Sequence, residues 1–560
     1  MTPTDMTPTA ISENRRIARA AGLVAGLTLL SRVAGLVRDA TIGYVFGTGA
    51  AADAFFVAFR IPNLLRRLVA EGALSVAFVP VFTDYLTTRT PAEALRAARA
   101  LVTAFVLVLL PLTVAGILLS PWLVALFAPG FSTDPEKLGL TIGLTRWLFP
   151  YVLLVSLVAL LGGLLNSLRH FTAPALSPVL LNLAIIAASL LLCPRLADPV
   201  YGLAYGALIG GSLQILVHLV PLWWRRLSLG PLWQPRHPAI RRVLTLMAPS
   251  VFGAAVYQIN IMMSTIFASL LPAGSVAYLW YADRVFEFPL GLFAVALSTA
   301  ALPSFSAQAS RGAHAELRRS VAAALGMLTF ITLPATAGLL VLALPITAVL
   351  FGRGAFGAPE LAMTARALQA FAVGLWAVSL VRVLVPVFYA LGDTRTPVLS
   401  AALAFVANMA FSLMLMGPVG AAPAAPMTGV IAAATHFMGV WNLRHAGLAL
   451  ATSLAAAVNL GVLGLRLSRR LAGFDFAAVA RSFLRSLAAS LVMTPAVYAT
   501  AHTIDWSVPG RLSLKAVTLA LSTVIGVVVF TGASRAFGGE EILVVMRLLR
   551  ERLSPRGRRD

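Results

Sequence analysis

Apolar stretches long enough to cross a lipid bilayer recur along the whole chain, and they limit its fold more than any other feature. About 20 apolar residues span a bilayer, and roughly fourteen such windows are present. Their approximate centres are residues 34, 68, 110, 154, 183, 212, 258, 292, 334, 376, 407, 456, 492 and 523. With 59% hydrophobic and 11% charged residues, a soluble fold could not bury so much apolar surface. Strand-like alternation is absent, so we expect an all-α polytopic membrane protein.

The basic residues behind the net charge of +22 are distributed along the chain as in a membrane protein, and they do not indicate a nucleic-acid partner. Counted over fourteen spans with a cytoplasmic N-terminus, the inner segments hold 28 of the 43 Lys and Arg residues. The outer loops hold about 6, including the chain's two lysines, Lys137 and Lys515. This asymmetry predicts that both termini are cytoplasmic. The single cysteine, Cys193, excludes an intramolecular disulfide framework.

The two halves of the chain resemble each other at a constant offset. Residues 52–82 align with 276–305, pairing Ala54 with Ala277, and residues 166–174 align with 389–397, both at an offset of 223. Six spans per repeat give both halves the same orientation. We therefore expect two parallel six-helix lobes around a central cavity, which rock to give alternating access.

The predicted organisation has five parts. A cytoplasmic N-terminal segment (1–20) precedes the first lobe (21–237) and the second lobe (238–470). Two additional spans (478–535) and a basic cytoplasmic tail (536–560) follow, the tail lying on anionic lipid. The second lobe carries about 22 extra residues, placed at 417–444. We expect an outer loop with a short interfacial helix around 428–441; a fifteenth span is the alternative.

Charged residues lie inside the first predicted span, "LLSRVAGLVRDATIGYVF" (29–46). A charge at the bilayer centre costs at least about 2.5–3.5 kcal/mol, so such residues are usually paired or face a water-filled cavity. Arg32 and Asp39 are seven residues apart and share a helical face, which allows a link through water or a ligand. Arg38 points about a third of a turn away unless the helix bends at Gly35.

The second span also carries charge near its middle. Four of its residues fall within about 80° of one another on a helical wheel: Arg60, Asn63, Arg67 and Glu71. Arg66 lies off this stripe, but Pro62 could shift the register, so the choice between Arg66 and Arg67 stays open. Asp53 is expected at the outer rim.

The eighth span contains "YADRVFEFP", in which one cation stands between two acids. Arg284 and Glu287 are three residues apart, and Asp283 and Glu287 are four apart, all near one face. A purely structural triad is the alternative to a ligand site.

The signs of these charges favour an anionic ligand. The first two spans hold five arginines (32, 38, 60, 66 and 67) against three acids, and guanidinium groups bind phosphate oxygens bidentately. We therefore expect a transporter with a cavity for a phosphate or diphosphate. The seven histidines form no metal-binding pair, and we find no P-loop or hydrolase motif. Without a nucleotide domain or cofactor, the energy must come from an ion gradient, the membrane potential or downstream consumption.

Three segments resemble the MurJ/MviN family of bacterial lipid II flippases. They are "SRVAGLVRDATIGYVFGTGAAADAFFVAFRIPNLLRRLVAEGALSVAFVPVF" (31–82), "WYADRVFEFPLGLFAVALSTAALPS" (280–304) and "FYALGDTRTP" (388–397). The resemblance implies two six-helix lobes and two additional helices, as in the multidrug/oligosaccharidyl-lipid/polysaccharide exporter superfamily. It further implies movement of undecaprenyl-diphosphate-linked peptidoglycan precursor from the inner to the outer leaflet of the bacterial inner membrane.

The resemblance also assigns roles to residues of this sequence. Residues expected to bind the substrate are Arg32, Arg38, Arg66 and Arg284, joined by Asn63 and Arg60. Residues expected to support or gate the site are Asp39, Asp53, Glu71, Asp283 and Glu287. The last two spans resemble the groove for the polyprenyl tail. We expect a monomer that binds membrane lipids and hands its product to the cell-wall synthesis machinery.

The chain departs from the family pattern at the 417–444 insertion and at a sodium site that some members have. The corresponding spans offer only amides, Asn260, Asn408 and Asn459, so we expect no metal. An exporter of another polyprenyl-diphosphate-linked glycan or of drugs is the nearest alternative. A membrane enzyme would need acid–base or metal-binding residues on inner loops, which we do not find, and a passive scaffold leaves the membrane arginines unexplained.

Overall fold

Helices make up all the regular secondary structure of residues 8–67, 75–421, 426–539 and 541–542, which the computed structural model describes. The α-helices are α1 (Pro8–Phe46), α2 (Ala50–Arg66), α3 (Ser75–Thr88), α4 (Pro91–Leu118), α5 (Ser120–Phe127), α6 (Pro135–Leu148), α7 (Pro150–Ser167), α8 (Thr172–Leu191), α9 (Tyr201–Trp224), α10 (Pro238–Ser269), α11 (Ser275–Pro289), α12 (Ala296–Ser310), α13 (His314–Phe351), α14 (Ala358–Val373), α15 (Leu375–Ala390), α16 (Arg395–Leu415), α17 (Pro426–Met438), α18 (Arg444–Arg470), α19 (Phe476–Ala501) and α20 (Leu512–Ala536). A π-helical turn at Leu290–Val295 joins α11 to α12. The all-α class is confirmed.

The helices are long and apolar enough for a protein that crosses a membrane many times. Among the described residues, ten helical segments qualify as spans, and the pair α14–α15, bent by 45°, makes an eleventh. Together they contain eleven of the fourteen predicted centres. Of the other three, residue 34 lies in α1, residue 258 lies in α10, and residue 68 lies outside the described residues. Fourteen spans therefore remains a prediction.

Helix boundaries repeat at the offset found in the sequence. The first residues of α4 and α13, Pro91 and His314, are 223 positions apart. The last residues of α7 and α15, Ser167 and Ala390, differ by the same number, as do the first residues of α8 and α16, Thr172 and Arg395. Equivalent sequences thus start and stop helices at equivalent places.

Packing inside each half repeats as well. In the first half α2 packs on α6, α3 on α7, α7 on α9, and α8 on α9. In the second half the equivalent pairs are α11 on α14, α12 on α15, α15 on α18, and α16 on α18. The duplication therefore extends from sequence to tertiary contacts within each half.

One helix packs differently from what the repeat indicates. The compact units divide between Ser269 and Leu270, so α10 belongs to the first unit, although the repeat assigns 238–470 to the second lobe. Ala239, Val243 and Met247 of α10 are buried in a core that includes Phe78 and Leu101. This apolar contact accounts for the placement of α10 with α3 and α4.

Small residues allow α8 and α9 to pack closely in the first unit. Gly202, Gly206 and Gly210 recur every four residues along one face of α9. A Cβ atom at Gly206 would lie 2.6 Å from Cβ of Ala188 on α8, and one at Gly210 would lie 2.7 Å from Leu181. Such spacing of small residues is typical of helices that associate in lipid. In lipid the hydrophobic effect does not drive helices together, and close van der Waals packing of their backbones stabilises the pair instead.

The insertion in the second half forms a helix that is too short to cross a membrane. Helix α17 has 13 residues, and at 1.5 Å per residue it is about 20 Å long. A bilayer core is about 30 Å thick. The described part of this helix is thus short for a fifteenth span and agrees in position with the short helix predicted around 428–441, whose interfacial placement remains a prediction.

Candidate anion site

The charges of α1 form a buried ion pair between neighbouring residues. Arg38 donates from Nε at 3.0 Å and from Nη2 at 2.7 Å to Oδ1 of Asp39. The side chains are 11% and 0% exposed. Asp39 is thus paired with its neighbour Arg38, because the adjacent guanidinium folds back onto the carboxylate, and the expected link from Asp39 to Arg32 through water or a ligand remains a prediction. Arg32 itself is exposed on α1.

An amide on α8 completes the environment of Arg38. Oδ1 of Asn182 accepts from Nη1 of Arg38 at 3.1 Å, and Nδ2 of Asn182 donates to the backbone oxygen of Ser31 at 3.1 Å. Asn182 is 6% exposed. One side chain thus joins α8 to two points on α1 and fixes the direction of the arginine.

The polar residues of α2 form two separate groups. Nη1 of Arg60 donates to the hydroxyl of Thr265 on α10 at 2.7 Å. Nε of Arg66 donates to Oδ1 of Asn63 at 2.9 Å, and Nδ2 of Asn63 donates to the backbone oxygen of Phe59. Asn63 therefore orients Arg66, because residues three apart are neighbours on the surface of a helix. The helical wheel had placed Arg66 outside the polar stripe.

The end of α2 leaves part of the predicted stripe untested. The backbone N–H of Arg67 donates to the carbonyls of Asn63 and Leu64, and its side chain is partly buried, as is that of Arg66. Glu71, which we expected to take part in gating, lies outside the described residues. The choice between Arg66 and Arg67 as the ligand-binding residue therefore stays open.

Asp53, in the first turn of α2, is buried in the protein, and its predicted position at the outer rim of the span remains a prediction. It is 1% exposed, and its Oδ2 accepts from Nζ of Lys137 on α6 at 2.7 Å. The ammonium group also lies 3.9 Å from the centroid of the Phe131 ring, where the ring face attracts a cation. The start of α2 is thereby joined to the start of α6 by a buried ion pair, and Lys137 lies in a helix and not in a loop. Burial of both charges makes this contact structural in the present conformation.

The second arginine site, on α11, is more open. Nη1 of Arg284 donates to Oε2 of Glu287 at 3.0 Å, and the side chains are 30% and 38% exposed. The guanidinium carbon lies 4.8 Å from the centroid of the Trp280 ring. The i,i+3 pair predicted from the sequence is present, and Asp283 beside it is partly buried. A half-exposed guanidinium backed by an aromatic ring can accept a phosphate without first leaving a closed core.

The described residues contain no group of three or more His, Cys, Asp or Glu side chains that could hold a metal ion. Asn408 is buried, and the amide oxygen of Asn459 is buried without a hydrogen-bond partner among the described residues. Asn260 is partly buried. Amide oxygens alone are weak ligands for sodium, and the expectation of no metal site stays a prediction.

Sequence reasoning missed the neutral and distant partners of the charged residues. Asn182 lies 144 residues from Arg38, and Lys137 lies 84 from Asp53. One signal was available: both lysines of the chain are buried, Lys137 against Asp53 and Lys515 with its Nζ donating to the carbonyls of Trp506 and Val508. Because the other 41 of the 43 basic residues are arginines, the two lysines stand out in the sequence. They could have been predicted to fill positions that need a compact ammonium group and not a planar guanidinium.

Known proteins resemble the chain over most of its length. The family described as "Lipid II flippase MurJ" matches residues 42–518. The lipid II flippase MurJ of Burkholderia cenocepacia is 37% identical over 498 residues, which cover 87% of this chain and 91% of that protein. The probable lipid II flippase MurJ of Bdellovibrio bacteriovorus is 32% identical over 544 residues, covering 96% and 97%.

Two solved structures resemble the fold. A lipid II flippase MurJ in an inward closed conformation gives a TM-score of 0.73 at 24% identity and covers 92% of this chain and 98% of that chain. An inward-facing multidrug resistance MATE family transporter of the MOP superfamily gives 0.64 at 16% identity, covering 81% and 99%. At these identities the structures support the fold alone. The family match and the relatives' coverage decide the membership: this chain belongs to the MurJ family of multi-pass membrane proteins.

Proposed function

We propose that this chain is a lipid II flippase, which moves the undecaprenyl-diphosphate-linked peptidoglycan precursor from the inner to the outer leaflet of the bacterial cytoplasmic membrane. The observation that carries the proposal is the 37% identity to a lipid II flippase over 91% of that protein's length. The chain would act as a transporter and not as an enzyme. Its role would be to supply precursor for cell-wall synthesis.

The arginines support binding of a diphosphate. A guanidinium group offers five N–H donors in a planar fork that matches phosphate oxygens. Arg32 and Arg284 are accessible, whereas Arg38 and Arg66 are oriented by Asn182 and Asn63. In this proposal the accessible arginines meet the substrate first, Arg66 adds positive charge, and Arg38, whose charge is balanced by Asp39, contributes a fixed polar environment.

Transport would proceed by alternating access between two six-helix lobes. The inward-open state takes the diphosphate and sugars into a central cavity while the polyprenyl tail stays in lipid along the last two helices. Neutralising the arginines permits the inner gate to close and the outer side to open. An inside-negative membrane potential is worth about 2.3 kcal/mol per charge per 100 mV, enough to drive or reset the charged lobe. An ion gradient is the alternative source of energy, and the proposal includes no sodium site.

The remaining features of the proposal concern topology and partners. Both termini would be cytoplasmic, and the protein would work as a monomer among membrane lipids. It would bind no nucleic acid. Cell-wall synthesis enzymes would consume the exposed product at the outer surface.

Depletion of the protein in cells without a redundant flippase tests the proposal. Accessibility of lipid II at the outer surface should fall as the protein disappears, while total lipid II rises. The wild-type chain expressed in trans should restore accessibility. Normal outward exposure in fully depleted cells would overturn the proposal.

A further inference from the structure

Helix α17 buries its two threonines and exposes two large apolar side chains, and its one other polar side chain, His436, is exposed near its end. Thr428 and Thr435, seven residues apart, are 1% and 0% exposed. On the opposite face Val430 and Phe437, also seven apart, are 72% and 92% exposed. A helix in contact with water shows the reverse pattern. The face that carries Val430 and Phe437 is therefore suited to an apolar medium.

The sequence around α17 excludes a partner that binds by charge. Residues 416–443 contain no Asp, Glu, Lys or Arg, and His436 is the one titratable side chain in this stretch. Directly after the helix, Val440 and Trp441 are each 61% exposed. Tryptophan is enriched where hydrocarbon meets lipid headgroups, because its ring is apolar and its N–H is polar.

Backbone hydrogen bonds fix this segment to the end of a membrane span. The carbonyl of Met414 in α16 accepts from the N–H groups of Val440 and Trp441, and that of Leu415 accepts from Leu443. The hydroxyl of Thr435 accepts from the N–H of Val419 at 3.3 Å and donates to the carbonyl of Ala432. The apolar face is held beside the C-terminal end of α16 and cannot turn inward without breaking these bonds.

We propose that α17 lies in the membrane–water interface, with Val430, Phe437 and Trp441 inserted among the lipids at the ends of α16 and α18. In the predicted topology this is the outer leaflet. Lipid is the expected partner of this face, because the face is uncharged and is continuous with two predicted membrane spans. The helix itself is short for a membrane span. The anchored helix sets the depth of the α16–α18 connection in the membrane. The proposal does not depend on the transported substrate.

Spin-label accessibility measures the depth of α17 directly. In a Cys193→Ser background, single variants Phe437→Cys and Val430→Cys are labelled with a nitroxide and reconstituted into phosphatidylcholine/phosphatidylglycerol vesicles. Ser507→Cys, in the exposed loop between α19 and α20, is the matched control. Labels at 437 and 430 should collide more with oxygen than with a water-soluble nickel chelate, at a depth of about 5–10 Å. The label at 507 should show the opposite preference.

Two outcomes would overturn the proposal. Nickel accessibility at 437 and 430 equal to that at 507 would place the face in water. Protection from both reagents would show that protein, either a second copy or another chain, covers the face. Labels at two positions are used so that a local disturbance at one of them does not decide the result. Lipid II transport by the labelled variants does not bear on the depth of α17.

Discussion

The two arginine–carboxylate pairs on α1 and α11 have the same chemistry in different surroundings. Arg38 gives two hydrogen bonds to Asp39, and the side chains are 11% and 0% exposed. Arg284 gives one to Glu287, with exposures of 30% and 38%. A buried pair is costly to break, whereas an exposed pair contributes little to stability and leaves its groups available for a ligand. The pair on α1 is therefore expected to be part of the fixed structure of the first unit, whereas the pair on α11 is the more accessible of the two.

The largest effect on stability is expected for Asp39→Ala. It leaves the buried guanidinium of Arg38 without its carboxylate, which should cost about 3–5 kcal/mol. We expect a large fall in melting temperature in detergent, or failure to accumulate in the membrane. The matched control is Asp84→Ala, which breaks the exposed pair with Arg242 and should have little effect. Equal melting temperatures for the two variants would show that burial does not distinguish these pairs.

A smaller loss is expected for Asn182→Ala, which removes the hydrogen bonds to Arg38 and to Ser31. Unsatisfied buried groups cost about 1–3 kcal/mol, so the melting temperature should fall by less than in Asp39→Ala. Transport should fall as well, because Arg38 loses its orientation. Leu190→Ala, at an exposed position of the same helix, serves as control. Full transport by a folded Asn182→Ala protein would remove Asn182 from the positioning of Arg38.

Asp393, in the loop between α15 and α16, is an intermediate case. The N–H and hydroxyl of Thr396 donate to its carboxylate, and Arg470 lies 3.6 Å away, which together hold its pKa below the ordinary value. The carboxylate stabilises the start of α16, and Asp393→Ala should cost about 1 kcal/mol.

The pKa of Asp393 also gives the sign of a pH effect. A lowered pKa in the folded protein means that the stabilisation is complete above the unfolded value of about 3.9 and is lost as the pH falls through the folded value. The difference in melting temperature between wild type and Asp393→Ala should be constant near neutral pH and shrink below about pH 4. A difference that grows on acidification would contradict this assignment.

The smallest effect on stability is expected for Glu287→Gln. An exposed ion pair contributes less than about 1 kcal/mol, so the melting temperature should hardly change. The affinity for a diphosphate-bearing lipid should rise, since a competing negative charge beside Arg284 is removed. Binding of lipid II to the purified variant measures this, with Arg242→Ala as a charge-altering control away from the site. A large stability loss would show that the α11 pair is structural.

Much of the fold was predictable because apolar windows are local sequence patterns and the internal repeat recurs at a constant sequence offset. The offset of 223 predicted where α16 begins relative to α8, and "YADRVFEFP" predicted the contact between Arg284 and Glu287. Interactions between distant residues were not predictable in the same way. A helical wheel gives the direction of a Cα–Cβ bond, but Arg38 is long enough to turn back to the neighbouring Asp39. The partners Asn182, Lys137 and Thr265 carry no distinctive spacing, because tertiary packing alone brings them near.

The most direct test of the proposed function is translocation of fluorescent lipid II by the purified protein in proteoliposomes, compared with Arg284→Ala. The wild type should move lipid II between leaflets, detected as loss of fluorescence to an external quencher. Arg284→Ala should fold with a nearly unchanged melting temperature and lose most of this activity, while Arg242→Ala should keep it. Wild-type translocation by Arg284→Ala, or none by the wild type under an inside-negative potential, would contradict the account.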